Sequence, residues 1–246
     1  MTASLPLILL PPSEGKAPGG DGPAWTPGSM VVDLDERRAE VLIALASAMQ
    51  GSEAARAKLL GVKGRALQAA TAANRAARTS PTRPAIERYT GVLYDALDHG
   101  SLTAAQRRRL DQSVVIFSGL WGLVAPSDPI PDYKLKMGTA LPRLGKLSTW
   151  WRDELSARLV ERASGRRVWN MLPNEHAAAW RAPVKLSQQW TVRFLERRPD
   201  GSLTGVSHRN KALKGALVRH LLAHPSTELA DLREWSDRSG VVLSFI

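Results

Sequence analysis

The chain has 246 residues, and its 34 lysines and arginines outnumber 23 aspartates and glutamates, giving a formal charge of +11. A hydrophobic fraction of 43% with 23% charged residues is the balance of a globular chain, not a disordered one, and no apolar run approaches the roughly 18 residues that cross a bilayer. The absence of cysteine excludes a disulfide scaffold, thiolate zinc, cysteine-ligated iron–sulfur clusters and a cysteine nucleophile, and it fits a cytoplasmic protein.

In chain order, Leu5–Leu10 (LPLILL) predicts a buried strand that ends at Pro11-Pro12, and no basic segment precedes it to make it a signal peptide. Residues 17–32 form a loop rich in Gly and Pro. Helical periodicity then runs from Leu34, with Asp33 as N-cap, to about Leu110, broken at Gly51-Ser52, Gly61 and Ser80–Pro84. Ser113–Phe117 is a second buried strand, followed by a proline-rich loop from Ala125 to Pro142. A helix over Leu147–Ala163 leads to a third strand, Arg167–Met171. Val184–Glu196 and Ser202–Ser207 predict a hairpin turning at Pro199-Asp200-Gly201. A helix over Asn210–Leu222 and a strand over Val241–Phe245 close the chain. The expected fold is a single compact α/β (mixed α+β) domain over residues 1–246. A mixed central sheet is flanked by helices, and residues 34–90 form a helical subdomain.

Charge clustering is more informative than net charge, because 25 arginines against 9 lysines is what a GC-rich genome produces unaided. Between Glu53 and Glu87 there are seven basic residues and no acid, and between Asp200 and Glu228 four basic residues, three histidines and no acid. Such acid-free segments are candidate patches for a polyanion. The first contains Leu59-Leu60-Gly61-Val62-Lys63-Gly64-Arg65, the hydrophobic–Gly–hydrophobic–x–Gly form of a helix-hairpin-helix element near residues 52–78. The amides opening its second helix, with Lys58, Lys63 and Arg65 around Gly61 and Gly64, suit phosphate oxygens of duplex DNA without reading bases. The structural alternative is a helix break with Gly61 as an ordinary cap.

Four turns at strand ends gather polar residues. Pro11–Lys16 (PPSEGK) offers a hydroxyl, a carboxylate and an ammonium from Ser13, Glu14 and Lys16, and the alternative is a solvated turn. Ser118-Gly119-Leu120-Trp121-Gly122 leaves the second strand. Pro131–Gly138 places Tyr133, Lys134 and Lys136 on an irregular loop, where they serve a base and a phosphate or simply face solvent. Asn170–His176 ends the third strand, with Asn174 as a helix N-cap and Glu175 and His176 as acid–base candidates. His220 and His224 have a metal-ligand spacing, but an ordinary helix surface explains them better, so no metal site and no cofactor are expected.

The succession PPSEGK, Tyr94 in Y-x-x-L, SGLWGLVAPSDPIPDYKLKMG, WNMLPNEH and S-x-x-x-K-x-x-K-G at Ser207–Gly215 resembles the YaaA peroxide-stress family from the first strand to about residue 224. The resemblance implies a cytoplasmic protein that limits iron–peroxide damage, a mixed α/β fold, binding to double-stranded DNA without sequence preference, and a helix-hairpin-helix. Family motif positions fall on Ser13, Lys16, Tyr94, Ser118, Gly119, Tyr133, Met137, Gly138, Asn170, Glu175 and Lys211. Trp121, Lys134 and His176 depart from the family's commoner Tyr, Arg and Tyr.

Two functions are therefore expected in competition. One is a non-enzymatic DNA-binding protein of the peroxide response. The other is an enzyme acting on a nucleotide, nucleobase or small anionic substrate, with Lys16 and Glu175 as acid–base groups. Its ligand pocket would be built from Ser13, Lys16, Tyr94, Ser118, Gly119, Tyr133, Lys134, Lys136, Asn170, Glu175 and Lys211. A membrane partner is not expected under either.

Overall fold

A computed structural model describes residues 4–182 and 189–245. Its centre is the strand Leu7–Leu10, whose four side chains are all buried. That strand lies parallel to Val114–Ser118 on one side and to Val168–Asn170 on the other. An interior parallel strand is covered on both faces, which is why LILL reads as a continuous apolar run with no alternation. Beyond Val114–Ser118 the sheet ends in Gly122–Val124, antiparallel. Beyond Val168–Asn170 it continues into Gln189–Arg197, which also carries Leu203–Gly205 and Val242–Phe245 as antiparallel partners. The result is a single α/β domain with a mixed central sheet. Of the expected first hairpin strand, Val184–Gln188 lies outside the described residues.

Because three adjacent strands run parallel, their carboxyl ends reach the same end of the sheet. The turns after Leu10, Ser118 and Asn170 therefore become neighbours despite lying far apart in the chain. The Ser118 turn is tight for a packing reason. A Cβ on Gly119 would stand 2.7 Å from the Leu135 carbonyl oxygen, so only glycine lets the 131–138 loop lie against it.

Buried arginines stitch the loops to this frame. The Arg38 side chain donates to the Trp121 and Leu123 carbonyls at 3.1 and 3.0 Å and pairs with Asp35. Arg88 donates to the carbonyls of Ile130, Ala17 and Gly19. A guanidinium buried this way has its fork filled by fixed carbonyls, which offsets much of its desolvation.

Several boundaries differ from expectation. The first long helix is Asp35–Ala48 with Leu34 at the cap position, so Asp33 stands one residue earlier than expected; its carboxylate still accepts the Asp35 amide, weakly, at 3.4 Å, and Asp35 accepts from the Gly28 amide at 2.6 Å. The helix expected over 147–163 is two segments, Leu147–Trp150 and Arg152–Ala163. Trp151 between them is fully buried and donates its indole N–H to the Gly119 carbonyl at 3.0 Å. Pro173, not Asn174, stands at the cap of the single turn Asn174–Ala177.

The helix Asn210–Ala223 packs on Val92–Leu97, and Gly215 is the point of closest approach. A Cβ there would lie 2.1 Å from the Leu93 carbonyl oxygen. Among the described residues, no helix is long and apolar enough to cross a membrane.

Candidate functional site

The turn Pro11–Lys16 leaves the central strand and is pinned along residues 88–90. Lys16 bridges Tyr89, the Ala17 amide donates to the Arg88 carbonyl, and the Thr90 amide donates to the Gly15 carbonyl. This turns the Lys16 side chain inward. Its ammonium stands 4.3 Å from the centre of the Tyr133 ring and donates weakly to the Ser13 carbonyl at 3.3 Å. Burial lowers its pKa to about 8, with the Lys134 and Arg88 charges adding to the fall and Asp132 and Glu14 opposing it.

Tyr133 is buried, and its hydroxyl lies 2.7 Å from both the Ser118 hydroxyl and the Tyr89 hydroxyl. Ser118 in turn accepts the Trp121 amide at 3.0 Å. Desolvation drives the Tyr133 pKa up to about 12 and those of Tyr89 and Tyr94 well above the ordinary value, so all three phenols stay protonated at neutral pH.

In front of this floor, the Glu14 carboxylate takes Lys134 on one oxygen at 2.8 Å and Lys136 on the other at 2.9 Å. These two hydrogen-bonded ammoniums hold its pKa down to about 2. Glu175 Oε1 accepts the Gly138 amide at 2.7 Å, tying the 131–138 loop to the third strand's turn. Its neighbour His176 is largely buried, and burial lowers its pKa to about 4. Its Nδ1 has no hydrogen-bond partner among the described residues. Ser13, Glu14, Lys16, Tyr133, Lys134, Lys136, Glu175 and His176 line one cleft of about 80 Å³.

Five of the residues expected in that pocket do not line it. Tyr94, Ser118 and Gly119 stand behind its wall. The Tyr94 hydroxyl holds the Pro11 carbonyl at 2.9 Å, and Ser118 and Gly119 are committed to the contacts above. Asn170 turns back to accept the Leu172 amide at 3.0 Å. Lys211 is exposed at the start of its helix, and Lys214, one turn later, is the lysine that reaches the strand end. It donates to the Met171 carbonyl at 2.7 Å. Burial, then the Lys211 charge, lowers the Lys214 pKa to about 8. Lys214 lies at the middle of the apolar stripe formed by Leu217, Val218 and Leu221, a phase visible in the sequence.

The helices Glu53–Leu60 and Gly64–Ala76 are joined by three residues, with Gly61 in the left-handed region at φ 67°. Lys58, Lys63, Gly64 and Arg65 are exposed on this hairpin. A groove of about 800 Å³ separates its first helix from the loop Gly138–Pro142. Lys58 lines one wall, and the groove shares Lys136 and Glu175 with the cleft. Asn74 on the second helix is hydrogen-bonded to the Lys134 backbone. Neither Asn74 nor Tyr89 stands out in the sequence, since nothing local marks either as buried. His220 and His224 stack at 4.8 Å beside Trp235, and no third ligating side chain joins them among the described residues.

Fold and cleft define a single-domain α/β protein whose parallel strand ends carry a lysine-rich site joined to a basic helical hairpin. The model of the family described as Peroxide stress protein YaaA matches residues 7–241, and the chain belongs to that family. It is similar to a UPF0246 protein of Streptomyces coelicolor, 43% identical over 219 residues covering 88% of this chain and 83% of the relative. A UPF0246 protein of Corynebacterium glutamicum is 36% identical over 87% of this chain and 84% of its own length. One from Corynebacterium efficiens is 34% identical over 92% and 91%.

Proposed function

We propose that this protein acts in the cytoplasm during peroxide stress by binding duplex DNA through phosphate contacts and limiting damage to it. The observation that carries this reading is the hairpin. Its exposed Lys58, Lys63 and Arg65 surround the opening of the helix Gly64–Ala76, in a stretch without acids. Helix-opening amides and flanking ammoniums recognise phosphate oxygens and are indifferent to base identity. The test is a mobility-shift titration with duplexes of unrelated sequence at several salt concentrations. Affinity is expected to vary little with sequence and to fall steeply with salt. The pair Lys63→Glu and Arg65→Glu should weaken binding at least tenfold without unfolding the chain, and unchanged affinity would remove the hairpin from the account.

A second reading, an enzyme for a small anionic substrate, is favoured by the cleft itself. An amine with its pKa lowered to about 8 and an imidazole lowered to about 4 face one small volume. In that reading Lys16 is the reactive group. Glu175 already accepts the Gly138 amide, which suits it to holding the loop as well as to the acid–base role.

A further inference from the structure

We propose that Lys16 is an amine nucleophile for aldehydes carried next to phosphate, and that its substrate is the ring-opened sugar of an abasic site in DNA; the proposal rests on the duplex-binding reading above. The geometry begins with what Lys16 lacks. No carboxylate lies within 4.0 Å of its Nζ among the described residues, and the nearby Glu14 is taken by Lys134 and Lys136. The amine instead lies over the Tyr133 ring at the floor of the cleft, with one long bond to a backbone carbonyl. Desolvation favours its neutral form, the form that attacks a carbonyl.

The rest of the cleft suits the same substrate. Lys134 and Lys136 stand at the rim on an exposed carboxylate, where phosphates flanking the sugar compete with Glu14 for them. His176 lines the cleft with an imidazole kept neutral by burial. The groove beside the hairpin shares Lys136 and Glu175 with the cleft, so a backbone held by Lys58 runs toward Lys16. A cleft of about 80 Å³ suits a bare sugar better than a sugar with its base.

The chemistry balances within these groups and water. Lys16 Nζ adds to C1′ of the aldehyde, and the resulting carbinolamine loses water to give an iminium. His176 takes a proton from C2′, the electron pair forms the C2′–C3′ double bond, and the C3′–oxygen bond breaks with the phosphate as leaving group. Water then hydrolyses the iminium, releasing an unsaturated aldehyde and restoring the amine.

The full chain is incubated with a duplex bearing one abasic site and sodium cyanoborohydride, which reduces an iminium to a stable amine. The expected result is a one-to-one cross-link that peptide mass mapping places on Lys16. Lys16→Arg, which keeps the charge, should lose it at least tenfold, while Lys146→Arg on the surface keeps it; circular dichroism confirms that both fold. A cross-link on another lysine, or none while the wild-type chain still shifts intact duplex, overturns the proposal. Failure to shift intact duplex overturns the binding reading beneath it. Trapping with glyceraldehyde 3-phosphate but not with the abasic duplex overturns DNA as the source of the aldehyde.

Discussion

Asn74 holds the peptide backbone of Lys134 from both sides. Its Nδ2 donates to the Lys134 carbonyl at 2.9 Å, and its Oδ1 accepts the Lys134 amide at 2.8 Å. One side chain thereby couples the second hairpin helix to the loop that forms the rim of the cleft. Asn74 is 3% exposed, so water does not replace either bond if the side chain is removed.

Asn74→Ala should therefore cost about 2 kcal/mol, because it strands a part-buried backbone donor and acceptor of Lys134 together. Urea unfolding measures the loss. Amide exchange at Lys134 should accelerate in the same variant, and an unchanged midpoint would mean the coupling carries no energy.

The Glu14 carboxylate gives a pH signature. Its folded pKa of about 2 lies below the ordinary glutamate value of 4.5, so its contribution to stability is fully present above the unfolded pKa. That contribution is lost as the pH falls from about 4.5 through about 2. Glu14 is 63% exposed, so solvent and salt screen the pair and the loss is small. Glu14→Gln should flatten that part of the stability–pH curve, and added salt should flatten it in the wild type.

The Lys16 amine predicts the opposite kind of profile for imine trapping. A folded pKa of about 8 means that the neutral fraction rises between pH 7 and 9. Trapping with the abasic duplex should rise over that range after correction for DNA binding. Burial sets most of this value, and Asp132, Lys134, Glu14 and Arg88 are the charged groups that adjust it. Asp132→Asn, which removes the opposing charge, should move the rise to lower pH.

At the helix–helix contact, Gly215→Ala should destabilise the chain by about 2–3 kcal/mol, since the added methyl meets backbone and not a movable side chain. Gly100, with open space around it, is the control. Thermal melts of the two alanine variants should differ by roughly 5–10 °C.

The strand-end turns are legible because LPLILL and the VVIF of Val114–Phe117 are apolar throughout, and such strands, lying parallel, deliver their turns to one place. Ser13, Lys16 and Glu175 follow from that topology, while Tyr133, Lys134 and Lys136 lie on the loop beyond the antiparallel strand Gly122–Val124 and are marked by their residue types and, for Tyr133, by the family motif. Lys214 is legible too, because it shares a helical phase with the buried Leu217, Val218 and Leu221, whereas the family motif alone points to Lys211. Asn74, by contrast, is illegible. In an alanine-rich helix a single Asn looks like a surface residue, and only the distant 131–138 loop makes it a buried one. Nothing in the sequence marks Tyr89, because its partner Tyr133 comes from another part of the chain.

The central strand has a further consequence during synthesis. Leu7–Leu10 finds one neighbour at Val114–Ser118 and the other at Val168–Asn170. At about 5–20 residues per second, the second neighbour leaves the ribosome roughly 10–30 s after the first strand does. For that interval an uncharged, strongly apolar segment near the amino terminus has an open edge. Other nascent chains compete for it, and chaperone demand should fall on this protein before the sheet closes.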